Sequence, residues 1–198
     1  MDFDTWPHLL VVDVEGNGAT PPDLVEVAAV PIAAGRPVPE SACRTLVRPP
    51  RPITRFATRI HRITNQDVAG APSWEEVAPA VHAHLRHAWI AAHNAGVDYN
   101  VLRRHLPDWK PAGVIDTLCL ARATYPAAPQ YTLDALLAYA AIPLTGIGGR
   151  RHRAGFDAHA TALLLLDLAR HYPSWDALTA AAVPPGLASP RHEEPTLW

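Results

Sequence analysis

Apolar residues gather into short unbroken runs at the start of this chain and into helical spacing further along it. The stretch HLLVVDVEGNGATPPDLVEVAAVPI, residues 8–32, holds two such runs around a turn rich in glycine and proline. Runs of this length bounded by turn residues predict strands at 9–14 and 24–32, with a third at 44–48, joined by short links as a meander. The first strand ends in two acids, Asp13 and Glu15. Side chains alternate across a strand, so both point to one face and their carboxylates lie side by side. Like charges that close need a shared proton, a basic side chain or a metal ion to offset them.

A proline-rich connection follows the third strand. Two helix-start signals with capping-box spacing come next, Thr64 before Asp67 and Ser73 before Glu76, the second opening a helix to about Arg86. Residues 88–93 read as a buried strand, 95–106 as a helix, 113–116 as a short strand, and a further helix starts at Thr117. Thr132 is the N-cap expected for the helix in YTLDALLAYA. The loop 142–153 contains GIGG, read as a flexible connection, before a long apolar helix at 154–172. Strands and helices in this order make an α/β protein. The expected organisation is one domain, residues 1–182, with a proline-rich C-terminal tail, 183–198.

Composition narrows the setting. The chain has 198 residues and a net charge of −2, so no bulk electrostatic pull towards polyanions exists. The charge is nevertheless uneven: residues 41–66 contain no acid but hold Arg44, Arg48, Arg51, Arg55, Arg59 and Arg62, and a second basic cluster is Arg150, Arg151 and Arg153. Cys43 and Cys119 show no metal-ligand spacing and are expected as small buried residues in a reducing compartment. No leader-like segment or membrane-length apolar run is present, which leads to the expectation of a soluble cytoplasmic protein.

Two further acids stand out. Asp98 falls one turn into the helix after the 88–93 strand, and Asp157 opens the long apolar helix five residues after His152. Strand ends and helix starts of an α/β sheet share one rim, so all four acids are expected to converge there. Singly, Asp98 and Asp157 read as helix-start charges offset by the dipole. As a set, carboxylate oxygens at one rim suit hard divalent cations.

DVEG, HNAGVD and HRAGFD match in order and spacing the three motifs of the DEDDh exonucleases, and RIHRITNQDVAGAPSWEEVAP and VIDTLCLAR resemble the connecting segments. The resemblance covers about residues 9–172. It implies a ribonuclease H-like fold with a central five-stranded mixed sheet flanked by helices, two Mg²⁺ or Mn²⁺ ions, and hydrolysis of nucleotides from the 3′ end of DNA, single strands preferred. It further implies Asp13, Glu15, Asp98 and Asp157 as metal ligands and His152 as general base, since a sister class with tyrosine at the 153 position is excluded by Arg153. Substrate contacts are implied at Gly16, Ile60, His61, Arg62, Asn94 and Val97. Gly16, Arg62 and Val97 replace the threonine, glycine and phenylalanine frequent in the family, which points to weaker base stacking and stronger phosphate contact. A polymerase or other replication or repair partner is implied as well, and no membrane.

The other histidines read as structural. His82, His84 and His87 lack a completing ligand and suit a solvated helix end, while His93 and Asn94 read as positioning residues around Asp98. The competing functions are an exoribonuclease with the same acids and a non-catalytic polymerase-associated module.

Overall fold

The computed structural model describes residues 2–184 and 186–187. The strands are β1 (Leu9–Gly16), β2 (Leu24–Ala33), β3 (Arg36–Pro37), β4 (Cys43–Leu46), β5 (Trp89–Ala92) and β6 (Gly113–Asp116). The helices are α1 (Arg55–His61), α2 (Trp74–Leu85), α3 (Gly96–His105), α4 (Thr117–Thr124), α5 (Leu133–Tyr139), α6 (Ala154–Ala169) and α7 (Trp175–Ala181). Most of the expected tail, from residue 188 on, lies outside the described residues.

One mixed sheet organises these elements in the order β3-β2-β1-β5-β6, with β4 also paired to β2. The meander is antiparallel, whereas β5 and β6 join parallel to β1. Five strands were expected and six form among the described residues. The extra one, β3, is a two-residue strand that shares the outer edge of β2 with β4.

β1 is central, which explains its continuous apolar run: Leu9, Leu10, Val11 and Val12 are buried because both faces are covered. Leu9 and Val11 face α4, α5, α6 and α7, while Leu10 and Val12 face α2 and α3. α6 is buried on nearly all sides, from Ala154 through Ala169. No helix among the described residues is long and apolar enough to cross a membrane.

Several expectations change. Thr64 and Asp67 make the reciprocal bonds of a capping box, Thr64 N–H to the Asp67 carboxylate at 2.7 Å and Asp67 N–H to Thr64 Oγ1 at 3.2 Å, yet the segment stays a turn. It lacks a following amphipathic run to pack, and a cap alone does not meet the cost of helix nucleation. Instead α1 forms within the proline-rich connection, capped by Thr54, whose Oγ1 accepts the Ala57 N–H at 3.2 Å. α7 was not anticipated either; Ser174 caps it in the same way. Cys43 and Cys119 are half-buried and free, because one lies on an edge strand and the other in the first turn of α4.

Candidate active site

β1 runs past the end of β5: its parallel pairing stops at Val11, so the last turn of the strand lies open on that side. The Val14 N–H therefore has no strand partner there, and the Asp98 Oδ1 accepts it at 3.1 Å. This bond ties the first turn of α3 to the tip of β1. On the opposite face Asp157, in the first turn of α6, meets Asp13 and Glu15, and one oxygen from each of the three lies within 4.8 Å of the others. Asp98 stands just outside that trio but close enough to repel Asp13. The rim therefore gathers the four acids, three of them in direct proximity.

Electrostatics show the strain of this arrangement. Burial, and then repulsion from Asp98, Glu15 and Asp157, holds the Asp13 carboxyl well above its ordinary value. Burial first, then Asp157 and Glu26, pushes Glu15 up to about 8, and burial pushes Asp98 up to about 7. Asp157 is also raised by burial, against the pull of Arg151, which pairs with both Asp157 and Asp134. Among the described residues the carboxylates of Asp13 and Glu15 have neither a hydrogen bond nor an ion pair. Carboxylates left without a partner at such density, with only oxygen donors, fit a hard divalent cation.

The entrance to α6 is anchored across the sheet. Glu26, opposite Glu15 on β2 and 6 % exposed, accepts Arg153 Nε and Nη2 at 2.9 and 2.8 Å and the Ala154 N–H at 2.9 Å. The bidentate fork fixes both the loop and the helix start. Between them the His152 N–H donates to Asp157 at 2.9 Å, and its backbone is left-handed with φ of 58°, which leaves the imidazole on the exposed side. Neither Glu26 nor this anchor was anticipated; the signal available was an acid inside an otherwise apolar strand.

Beside the acids lies a cavity of about 230 Å³ lined by Glu15, Gly16, Phe56, Ile60, His61 and Val97, among others. Phe56, Ile60 and Val97 are 68, 40 and 56 % exposed, so three large apolar side chains face solvent around one opening. Phe56 was missed in the sequence because its helix was. Gly18, with φ of 79°, lets the turn after β1 close on Thr54, since a Cβ there would stand 2.3 Å from Oγ1. That contact seats α1 against the site.

Of the expected contact residues, Gly16, Ile60 and Val97 line this cavity. His61 does so through a ring only 2 % exposed: Nδ1 accepts the Ile63 N–H at 3.0 Å, so Nε2 carries the proton towards the Gly16 carbonyl at 3.2 Å. It braces Gly16. Arg62 ends α1 in a left-handed conformation, φ 63°, the place where glycine is favoured. Asn94 is exposed, with φ of 65° and its N–H on Asp116 at 3.0 Å, while His93 bridges Thr117 and Tyr131. The pair braces the turn into α3. His82, His84 and His87 join no metal-binding group among the described residues.

Comparison with known proteins bears on this geometry. Exonuclease X in complex with 5′-overhanging duplex DNA superposes with a TM-score of 0.73 at 34 % identity, over 87 % of this chain and 98 % of that one. Exonuclease I shares the fold at TM-score 0.69 and 18 % identity. Exodeoxyribonuclease 10 of Escherichia coli K12 is 36 % identical over 161 residues, 81 % of this chain and 68 % of that protein. A DNA polymerase III subunit epsilon-like protein of Rhodobacter capsulatus is 36 % identical over 165 residues, 80 % of this chain. The chain spans only 23 % of that relative's length and 11 % of the PolC-type DNA polymerase III of Thermotoga petrophila. The fold is thus the ribonuclease H-like one of these exonucleases. Residues 10–165, which include all four acids and His152, match the family described as Exonuclease, of the RNase T type. With most of its length inside that match, the chain belongs to the RNase T exonuclease family.

Proposed function

We propose that this chain is a divalent-metal-dependent 3′–5′ exonuclease that removes nucleoside monophosphates from DNA ends, preferring single strands. The observation that carries the reading is the trio Asp13, Glu15 and Asp157 beside an apolar cavity, the first two unpaired and both repelled by Asp157. Asp13, Glu15, Asp98 and Asp157 would hold the ions, two of Mg²⁺ or Mn²⁺. Bound there, they would offset the carboxylate charge and stabilise the negative charge that builds on the phosphoryl oxygens during in-line attack.

The chain's own residues do the rest. The cavity takes the terminal nucleoside, with the exposed ring of Phe56 as a stacking face in place of the phenylalanine missing at Val97. Gly16, held by His61, offers its backbone to the terminal sugar, and Ile60, Arg62, Asn94 and Val97 border the strand. His152, exposed beside Asp157, accepts the proton from the attacking water, a general-base role that an imidazole nitrogen can fill. The domain extends over residues 1–182 with the tail 183–198 outside the catalysis, and the enzyme works beside a DNA polymerase, as two of its relatives' names suggest, or in repair.

The test uses 5′-labelled DNA and RNA single strands with Mg²⁺ or Mn²⁺. Stepwise shortening of DNA from the 3′ end, abolished by Asp13→Asn, is expected. His152→Ala should lose about 10²–10⁴-fold in single-turnover rate while still binding Mn²⁺ by calorimetry. No metal-dependent cleavage of any strand would leave a binding module instead, and faster cleavage of RNA would reassign the substrate.

A further inference from the structure

α1 has two faces with different chemistry. Phe56, Ala57, Ile60 and His61 turn to the apolar cavity beside the acids. Arg55, Thr58, Arg59 and Arg62 turn the other way, to a groove of about 540 Å³ that Ile53, Thr64 and Asn65 complete. A wider groove of about 1070 Å³ joins the two: it shares Arg59 and Arg62 with the second, Ile60 with the first, and adds Arg150, Arg151 and His152. A continuous surface therefore leads from the catalytic rim over Ile60 to the back of α1. No acid lines either basic groove.

Arg51 pairs with Asp23, Arg153 with Glu26, and Arg151, which also lines the wider groove, with Asp157 and Asp134. Arg55, Arg59, Arg62 and Arg150 are exposed and have no ion pair among the described residues. Four uncompensated guanidiniums around one surface repel one another and concentrate anions. Arginine's fork also matches phosphate oxygens two at a time.

We infer that this arginine groove is the track of the substrate strand on the 5′ side of the scissile phosphate. The inference rests on the exonuclease reading and specifies what it acts on: a single strand long enough to lie over Ile60 and along α1, gripped through its phosphodiesters without regard to base. Four arginines can meet about four phosphates, each neutralised phosphate releasing a counterion. A dinucleotide places its terminal nucleoside in the apolar cavity and is too short to lie along the groove.

Length dependence is the direct test. kcat/KM is measured for a dinucleotide, for a single strand of about ten nucleotides and for the same strand fully paired, with wild type and with the double variant Arg55→Gln, Arg59→Gln. Wild type should favour the long single strand over the dinucleotide, and the variant should lose roughly tenfold of that ratio. The slope of log kcat/KM against log salt on the long strand should flatten by about 1.4, near 0.7 for each phosphate contact removed. Melting curves and the dinucleotide rate report whether the variant is folded. An unchanged ratio and slope would overturn the inference, and a loss confined to the paired substrate would assign the groove to the complementary strand instead. If wild type cleaves both lengths without preference, the groove fails and the exonuclease reading stands; if it cleaves neither, that reading fails and the inference with it.

Discussion

Raising the pH in the absence of divalent ions should destabilise this protein, because its acids have been pushed the wrong way for an ionised cluster. Glu15 moves from an ordinary 4.5 to about 8, and Asp98 from 3.8 to about 7. A carboxyl whose folded value is raised keeps its proton in the folded state after the unfolded chain has lost it. Stability therefore falls as pH rises from the unfolded value to the folded one, and levels off above it. Burial lowers the values of His61, His84, His93, His105 and His159, which act in the opposite sense below their ordinary 6.5. The acids are isolated by working from pH 6.5 to 8. Across that window one fully coupled group loses about 1.4 kcal/mol per pH unit, so Glu15 contributes about 2 and Asp98 below 1 kcal/mol. Glu15 is only partly buried, and solvent screening brings the sum of these two to about 2 kcal/mol; Asp13, also raised, adds in the same direction. For a domain of this size that is a fall of roughly 4–8 °C in melting temperature. Differential scanning calorimetry on chelator-treated protein measures it. Mn²⁺ should reverse the fall, with a larger gain at pH 8 than at pH 6.5, since protons compete for the same oxygens. A metal-free melting temperature that stays level or climbs across this window would refute the account of the cluster.

Other expectations follow from single contacts. Glu26→Gln leaves Arg153 facing a neutral group and should cost about 2 kcal/mol, below the full penalty for a buried pair because Arg153 is 28 % exposed; chemical denaturation reads this. The same variant should slow single-turnover cleavage about tenfold as the start of α6 loosens, and lost stability with an intact rate would confine Glu26 to folding. Arg62→Gly relieves a left-handed residue and should raise stability by up to about 1 kcal/mol while weakening DNA binding, seen in paired melting and affinity measurements. Phe56→Ala should raise KM about tenfold through lost base stacking with kcat little changed; an unaltered KM would remove the ring from the pocket.

The four rim acids were legible in the linear chain because the signals that place them are local. Asp13 and Glu15 share a face by strand alternation alone, and Asp98 and Asp157 sit at helix starts that strand and helix periodicity place on one rim. The unbroken apolar runs likewise predicted the meander, and local patterning the strands at 88–93 and 113–116 and the long apolar helix α6, since each signal needs only neighbours within a few residues. What surrounds the acids was decided by contacts between distant segments. Glu26 and Arg153 are 127 positions apart and meet only because β2 lies beside β1 under the start of α6. α1 gave too few apolar positions to register as a helix; it forms because Ala57 is buried with Val25, Ile53, Ile63 and Val68, and because Gly18 closes on its cap. Its placement separates the apolar cavity from the arginine groove. A cap such as Thr64 with Asp67 is equally local, yet it yields a turn, because a helix start becomes a helix only when the fold supplies a surface for it to cover.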